Sequence, residues 1–382
     1  MLPQLNVFFP GKLVFANGCI ENLSAEIKAL EAKVVFIVTI DPLLSVIDKH
    51  IVSLQQNGIT VHVNTSITQE PYFSDFENIL AHATPLNPDV VIGIGGGSVL
   101  DIAKLVAAQL DNTQTLRDYV GIGLLKGRKK KLICIPTTSG TGSEVSPNAI
   151  LVDNEDHQKK GIISPFLVPD MVLVDPLLTL SLPPVITAAT GMDALTHCLE
   201  AYTNKFAQPF IDMFALEGIR LIASHIITAV TNGTDVVARE KVALGSLLGG
   251  FCLGPVNTAA VHALSYPLGS LYHLSHGLSN ALLLPYVMEF NIVGSEKRYA
   301  EVAVALGCTK EATDQLTALA GVEKIKQLNA ACGIPATLKE VGVEYTALEA
   351  MAKDAMKIQR LLKNNPREVT EVLALEIFKK AF

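Results

Sequence analysis

The chain has no excess of basic residues, no C-x-x-C pair, no basic leader and no internal repeat, and each absence removes a class of function. Thirty Lys and Arg against 37 Asp and Glu leave a formal net charge of -7, which argues against a nucleic-acid or anionic-membrane partner. The one basic run, Lys126 to Lys131, reads as a solvated loop. Six cysteines (Cys19, Cys134, Cys198, Cys252, Cys308, Cys332) are scattered through mostly apolar surroundings, the pattern of buried free thiols, so a reducing cytoplasm is expected. Met1 to Asn6 carries no basic stretch followed by an apolar core, and no later apolar run reaches spanning length, so neither export nor a membrane anchor is expected.

What is present is apolar. With 382 residues, 49% hydrophobic and 18% charged, and a mean hydropathy of +0.37, the chain can bury a large core and exceeds the size of one domain. Its first half alternates β-branched runs with helical spacing, the signature of parallel strands joined by crossover helices. The strand candidates are 13–15, 34–39, 60–63, 90–94, 131–135 and 171–174; helix spacing covers 20–30, 43–57, 75–82 and 98–110. After Asp175-Pro176 the β-runs stop and helical periodicity continues to the C-terminus. The expected organisation is an α/β domain over 1–178 and an all-helical domain over 179–382.

Two loops carry the first functional signal. Val90 to Ser98 runs from an apolar strand into Gly95-Gly96-Gly97-Ser98 and then into a helical turn containing Asp101 and Lys104. Glycines let the backbone approach an anion, and the following helix N-terminus offers unpaired N–H groups and a positive dipole end. A pyrophosphate fits such a turn, although the spacing is not G-x-G-x-x-G. The second loop, Pro136-Thr137-Thr138-Ser139-Gly140-Thr141-Gly142-Ser143-Glu144, follows another strand and is dense in hydroxyls and glycines that can surround a phosphate or ribose. Both lie at strand C-terminal ends, where open α/β sheets place ligands.

The second signal is a set of metal-ligand types. Asp193 and His197 are four apart in Thr190 to His197, so a helix presents both on one face. His262 and His276 lie in a later Gly/Ser/His-rich stretch. One carboxylate and three imidazoles suit Fe(II) or Zn(II) better than Mg(II) or Ca(II).

With these segments in view, the sequence resembles the iron-containing (group III) alcohol dehydrogenases, related in fold to dehydroquinate synthase and glycerol dehydrogenase. The matching residues are Gly95-Gly96-Gly97-Ser98 with Asp101 and Lys104, the 136–144 loop, Ser164-Pro165 with Pro169-Asp170, Asp175-Pro176, Thr179 to Pro183, Thr190 to Glu200, the His262 and His276 segments, and Asn365-Pro366-Arg367. The resemblance implies a Rossmann-like nucleotide-binding domain followed by an all-α metal-binding domain, with a cleft between them, and a homodimer. It implies metal ligation by Asp193, His197, His262 and His276. It further implies cofactor contacts from Gly95, Gly96, Gly97 and Ser98 at the pyrophosphate, from Asp101 near the nicotinamide amide, from Thr137, Thr138, Thr141 and Ser143 in the second loop, and from Lys159 at the nicotinamide ribose.

Two positions depart from the family pattern. Many alcohol-oxidising members carry a histidine four residues after the third ligand, where this chain has Tyr266; Tyr266, His273 or a water chain then stands as the proton relay. Many NAD-using members place an acid directly after the second strand, whereas here Asp41 comes one residue late, after Ile40. If Asp41 reaches the adenosine ribose, NAD is favoured; if Ile40 takes that spot, NADP is admitted. Asn148, Leu253 and Tyr266 are candidates for substrate contact by position. The expected activity is hydride transfer between a nicotinamide cofactor and a small alcohol or aldehyde, or a hydroxy acid or oxo acid, with the metal as Lewis acid. The rival readings are a sugar-phosphate cyclase or lyase of the dehydroquinate synthase type and a non-catalytic metal- and nucleotide-binding sensor.

Overall fold

Six short β-branched runs pair into one parallel sheet in the computed structural model, which describes residues 4–382. The strands are Lys12–Phe15 (β1), Val34–Val38 (β2), Thr60–Asn64 (β3), Val90–Gly95 (β4), Gly121–Ile122 (β5), Lys131–Pro136 (β6), Asn148–Val152 (β7), Lys159–Ile163 (β8) and Met171–Val174 (β9). The large sheet has the order β1-β9-β6-β4-β2-β3, and each pairing in it is parallel. Crossovers are made by helices Leu23–Ala29 (α1), Leu44–Gln56 (α2), Phe73–Ala83 (α3) and Gly97–Gln109 (α4). All six residues of β4 are buried, as an apolar strand covered on both faces must be.

Strand order locates the ligand end of this sheet. The chain goes from β2 outwards to β3, then returns past β2 to β4, so β2 and β4 are neighbours whose connections leave in opposite directions. Such a switch point opens a crevice at the strand C-termini. Thr39, buried just beyond β2, ties the two ends together by donating its hydroxyl to Ile94 O at 2.8 Å.

Three strands were not among the sequence candidates. β5, β8 and β7 form a separate small sheet in that order, with β5–β8 parallel and β7–β8 antiparallel. Two lysines and a glycine in β8, and a β5 of only two residues, give too little β-branched signal to be read locally. The basic run also differs from expectation, since it is not wholly a solvated loop. Arg128 donates to Phe166 O, Lys130 O, Val168 O and the Asp170 carboxylate, stapling the segment before β6 to the segment before β9.

The chain divides into two units. One comprises Val7–Thr138 and Gly142–Thr179; the other comprises Leu180–Phe382 with Ser139–Thr141 and the stretch ending at Asn6. The second unit is helical: Pro184–Thr203 (α5), Pro209–Thr231 (α6), Val236–Leu253 (α7), Ala260–Tyr272 (α8), His276–Ile292 (α9), Glu296–Ala305 (α10), Asp314–Ala331 (α11), Leu348–Ala355 (α12), Gln359–Leu362 (α13) and Glu371–Ala381 (α14). Pro184 occupies the first turn of α5, where a missing N–H costs nothing. From Met192 to Thr203 every residue of α5 is buried, making it the central rod of this unit.

One sequence expectation is corrected here. α6 is 23 residues long with a mean hydropathy of 1.5 over its most apolar window, long and apolar enough to cross a bilayer by length and composition. Half of that window is buried inside the unit, and Ile211, Ala215, Ile219, Ile222 and Ile226 are buried on one face. Its hydrophobicity therefore serves packing between neighbouring helices. All six cysteines are free, and all but Cys308 are buried; burial pushes the Cys134 and Cys198 thiols up to about 12.

Candidate metal centre and cofactor loop

The candidate metal centre is built from three helices. α5 presents Asp193 and His197 one turn apart, α8 brings His262 in its first turn, and α9 begins with His276. Close approach of α9 to α5 depends on Gly277, where a Cβ would lie 2.2 Å from Ala189 O. Any larger residue there would push His276 away from Asp193.

The geometry is that of a ligand set. One donor atom from each of Asp193, His197, His262 and His276 lies within 4.8 Å of the others. The Nε2 atoms of His197, His262 and His276 stand 3.9, 3.6 and 3.7 Å from the same oxygen, Asp193 Oδ1. These are too long for hydrogen bonds, yet donors about 2.1 Å from one tetrahedral cation are separated by about 3.4 Å. His262 Nε2 is buried and has no hydrogen-bond partner among the described residues. A buried lone pair without a donor is costly, and a cation satisfies all four groups together. The residues present therefore fit a divalent metal.

Outer contacts set which nitrogen faces the centre. Glu200, two turns along α5 from Asp193, accepts from His262 Nδ1 at 2.6 Å, from Val261 N at 2.6 Å and from Ala259 N at 2.9 Å. His197 Nδ1 lies 3.2 Å from Gly140 O. Each contact holds the proton on Nδ1 and leaves Nε2 as the inward lone pair. Asn280, one turn after His276, donates from Nδ2 to Asp193 Oδ1 at 2.7 Å.

Electrostatics favour an ionised Asp193 with positive charge beside it, supplied by a cation or, on His262, by a proton. Burial opposes ionisation of Asp193, but His197, His276 and His262 hold its carboxyl well below the usual carboxylate range. Burial pulls His197 down, towards the neutral form that ligates. Burial pulls His262 down too, but Glu200 and Asp193 together overcome it and push that imidazole up to about 9. Three of the four candidate ligands are buried, and His276 is about a third exposed, so the cluster opens to solvent on the His276 side.

The structure places the remaining sequence-selected residues as follows. Tyr266 lies beside the centre on α8, its ring 6.4 Å from that of His276. His273 is the left-handed C-cap of α8 and is exposed. Leu253 is buried at the end of α7. Thr141 and Gly140 belong to the helical unit, while Thr137 and Thr138 belong to the α/β unit.

In the α/β unit, α4 starts straight after β4 with Gly96 extended and with no side-chain cap. Val99 N and Leu100 N both bond Gly96 O, and helix geometry leaves the N–H groups of Gly97 and Ser98 without intrahelical acceptors. A Cβ on Gly95 would lie 2.7 Å from Val99, whereas one on Gly96 would meet only Thr138, at 3.4 Å. Gly95 thus serves packing, and the Gly96 side is open for an anion. This turn fits a cofactor pyrophosphate. Asp41 is exposed beyond β2, on the other side of the switch point.

Asp101 and Ser143, both expected at the cofactor, are joined in one hydrogen-bond network. Ser143 Oγ donates to Asp101 Oδ1 at 2.5 Å and accepts from the fully buried Lys104 at 2.8 Å. Ile150 N donates to Asp101 Oδ2 at 2.9 Å, and Lys104 also donates to Ser146 O and Asn148 O. Lys159, on β8, is ion-paired with Glu70 at 2.5 Å. Asn148 Oδ1 is buried without a hydrogen-bond partner among the described residues.

Glu200, Asn280, Lys104 as a buried hub, and Arg360, which donates to Tyr266 Oη at 2.7 Å, carried no assigned role in the sequence reading. Only Glu200 had a usable signal, a second acid at i+7 from Asp193 on one helical face.

Comparison with known proteins places this geometry. Residues 10–176 match iron-containing alcohol dehydrogenase, and residues 187–382 match the Fe-containing alcohol dehydrogenase family, C-terminal. The chain is 40% identical over 383 residues to long-chain-alcohol dehydrogenase 1 of Geobacillus thermodenitrificans, covering 98% of this chain and 96% of that protein. It is 34% identical over 391 residues to 1,3-propanediol dehydrogenase of Citrobacter freundii, covering 100% and 98%. The crystal structure of a 1,3-propanediol oxidoreductase superposes with a TM-score of 0.96 at 32% identity, covering 100% of both chains. With both halves matched and relatives similar over their full length, the chain belongs to the iron-containing alcohol dehydrogenase family, metal-dependent oxidoreductases of alcohols.

Proposed function

We propose that this protein interconverts a small primary alcohol and its aldehyde with NAD(H), using Fe(II) held by Asp193, His197, His262 and His276. The observation that carries this reading is the convergence of three imidazole nitrogens on Asp193 Oδ1, at 3.6 to 3.9 Å, with His262 Nε2 buried and without a hydrogen-bond partner among the described residues. When bound, the metal supplies Lewis acidity to the substrate oxygen and the nicotinamide supplies or accepts the hydride.

The chain's own residues do the rest. Glu200 and Gly140 O fix the tautomers of His262 and His197, so the inward lone pairs are set before any ligand arrives. Asn280 holds the Asp193 carboxylate in place. Burial of three of the four ligands excludes water from all but the His276 side. Gly96, Gly97 and Ser98 seat the pyrophosphate on the open start of α4, and the Lys104 network holds the 143–150 segment in one conformation. Thr137, Thr138, Thr141 and Lys159 complete the cofactor contacts in this reading. Asp41, exposed past the switch point, accepts from the adenosine ribose hydroxyls and repels a 2′-phosphate, so NAD is the cofactor. Tyr266, beside the exposed face of His276, passes the proton between substrate oxygen and solvent.

The test is one screen. Protein stripped of metal and re-supplied with Fe(II) or Zn(II) is assayed for oxidation of NADH and of NADPH against short aldehydes. The expected result is activity restored best by Fe(II), with NADH. No reduction of any aldehyde with either metal and either cofactor would overturn the reading.

A further inference from the structure

The helical unit contains five arginines, and four are tied to protein acceptors. Arg220 pairs with Glu217, Arg298 forks onto Asp212, Arg239 bonds Gly233 O and Thr187 Oγ1, and Arg367 bonds Phe290 O while stacking on its ring. Arg360 too has a protein acceptor, but that acceptor is a tyrosine hydroxyl. Its Nη2 donates to Tyr266 Oη at 2.7 Å, its guanidinium lies 5.9 Å from the Tyr266 ring centre, and it forms no ion pair among the described residues. It is also half-buried, on the short helix α13.

A guanidinium has five donors and prefers a planar oxyanion. Holding one partly out of water with a neutral phenol as its partner leaves most of that capacity unused. Its location gives the reason. Tyr266 bridges it to His276, whose ring is 6.4 Å from the Tyr266 ring and which forms the solvent-facing side of the metal centre. Arg360 thus lies one aromatic ring removed from the candidate ligand His276.

We propose that Arg360 and Tyr266 form a subsite for an oxyanion at the far end of the substrate. The preferred substrates are then short aldehydes bearing a carboxylate, sulfonate or phosphonate tail, and the matching hydroxy acids. This rests on the oxidoreductase reading of the same centre and narrows it. Arg360 supplies a charge-assisted, two-pronged bond to the tail, and Tyr266 holds the guanidinium in register.

Two measurements test it. In the first, propanoate, ethanesulfonate and ethylphosphonate are titrated calorimetrically into the metal-loaded wild-type protein, Arg360→Lys and Arg360→Ala. The expected result is a Kd weakened about tenfold or more in Arg360→Ala, equivalent to about 1.4 kcal/mol, and partly recovered in Arg360→Lys. The anion bound most tightly identifies the tail. In the second, kcat/KM is compared for aldehydes of equal length with charged and uncharged tails. The wild type is expected to favour the charged tail, and Arg360→Ala to reduce that preference by roughly 10-fold to 100-fold. Anion binding that ignores residue 360, or a wild-type preference for the uncharged tail, would overturn the proposal. Absence of all turnover with anion binding still dependent on Arg360 would count against the oxidoreductase reading alone.

Discussion

Each unit of this protein buries a cluster of charged side chains, and the two clusters are wired in opposite ways. Around Lys104 the wiring is closed. The ammonium has three acceptors, Ser143 relays to Asp101, and Ile150 N takes the other carboxylate oxygen. Burial pushes the Asp101 carboxyl up and the Lys104 ammonium down, each opposed by the other's charge. Around Asp193 the wiring is open. Three imidazole nitrogens converge on one oxygen without bonding it, and one of them lacks any hydrogen-bond partner among the described residues. A closed buried network specifies a conformation. An open one with converging lone pairs specifies a guest.

That contrast can be broken by crossed substitutions. Asp193→Asn keeps the shape of the side chain and removes the charged ligand. It is expected to lose bound metal and to lower kcat/KM by roughly 10³-fold, because several kcal/mol of Lewis-acid stabilisation disappear. Lys104→Met should do the reverse, costing about 3–5 kcal/mol of stability by stranding Asp101 while metal content persists. Urea unfolding with metal analysis on both variants checks this; an Asp193→Asn protein that keeps its metal, or a Lys104→Met protein with an unchanged unfolding midpoint, would erase the distinction.

Glu144 sharpens the closed side. Burial pushes its carboxyl from 4.5 up to about 7. Between those values the folded chain holds a proton that the unfolded chain releases, so stability falls as pH rises from about 4.5 through 7. Glu144→Gln removes that slope. At pH 8 the variant is expected to be the more stable protein by on the order of 3 kcal/mol, with the difference vanishing near pH 4. Thermal melts of both proteins across this range provide the measurement, and a wild type whose stability rises over the same interval would contradict it.

The smallest expected effect lies on the open side. Glu200→Gln keeps an acceptor for His262 but weakens it, and loss of such an outer contact lowers metal affinity by about 10–100-fold. Competition with a chelator measures the change. An unchanged affinity would mean that Glu200 serves only the N-terminus of α8.

Much of this was legible along the chain because the relevant information is local. Val34 to Val38 and Val90 to Ile94 are apolar and β-branched, so their identity as buried parallel strands needs no partner to be read. Gly95 to Ser98 between a strand and a helix reads as an anion turn for the same reason. β8 was not legible because its two lysines and glycine become strand only through pairing with β7. The 136–144 loop was legible as functional, but its use of Gly140 O to hold His197 depends on a backbone carbonyl, which has no sequence signature.

By itself, the sequence determined the types of donor available and their order: Asp193 and His197 on one helical face, His262 and His276 on later helices, a glycine turn after β4. Those follow from residue chemistry and short-range periodicity, which tertiary context does not alter. Only the tertiary structure decided that His262 answers to Glu200, that Lys104 is a sealed hub, and that α13 delivers Arg360 to Tyr266 across 94 positions of chain. Contacts between side chains so far apart in sequence are set by how helices pack, and packing responds to the shape of every neighbour at once.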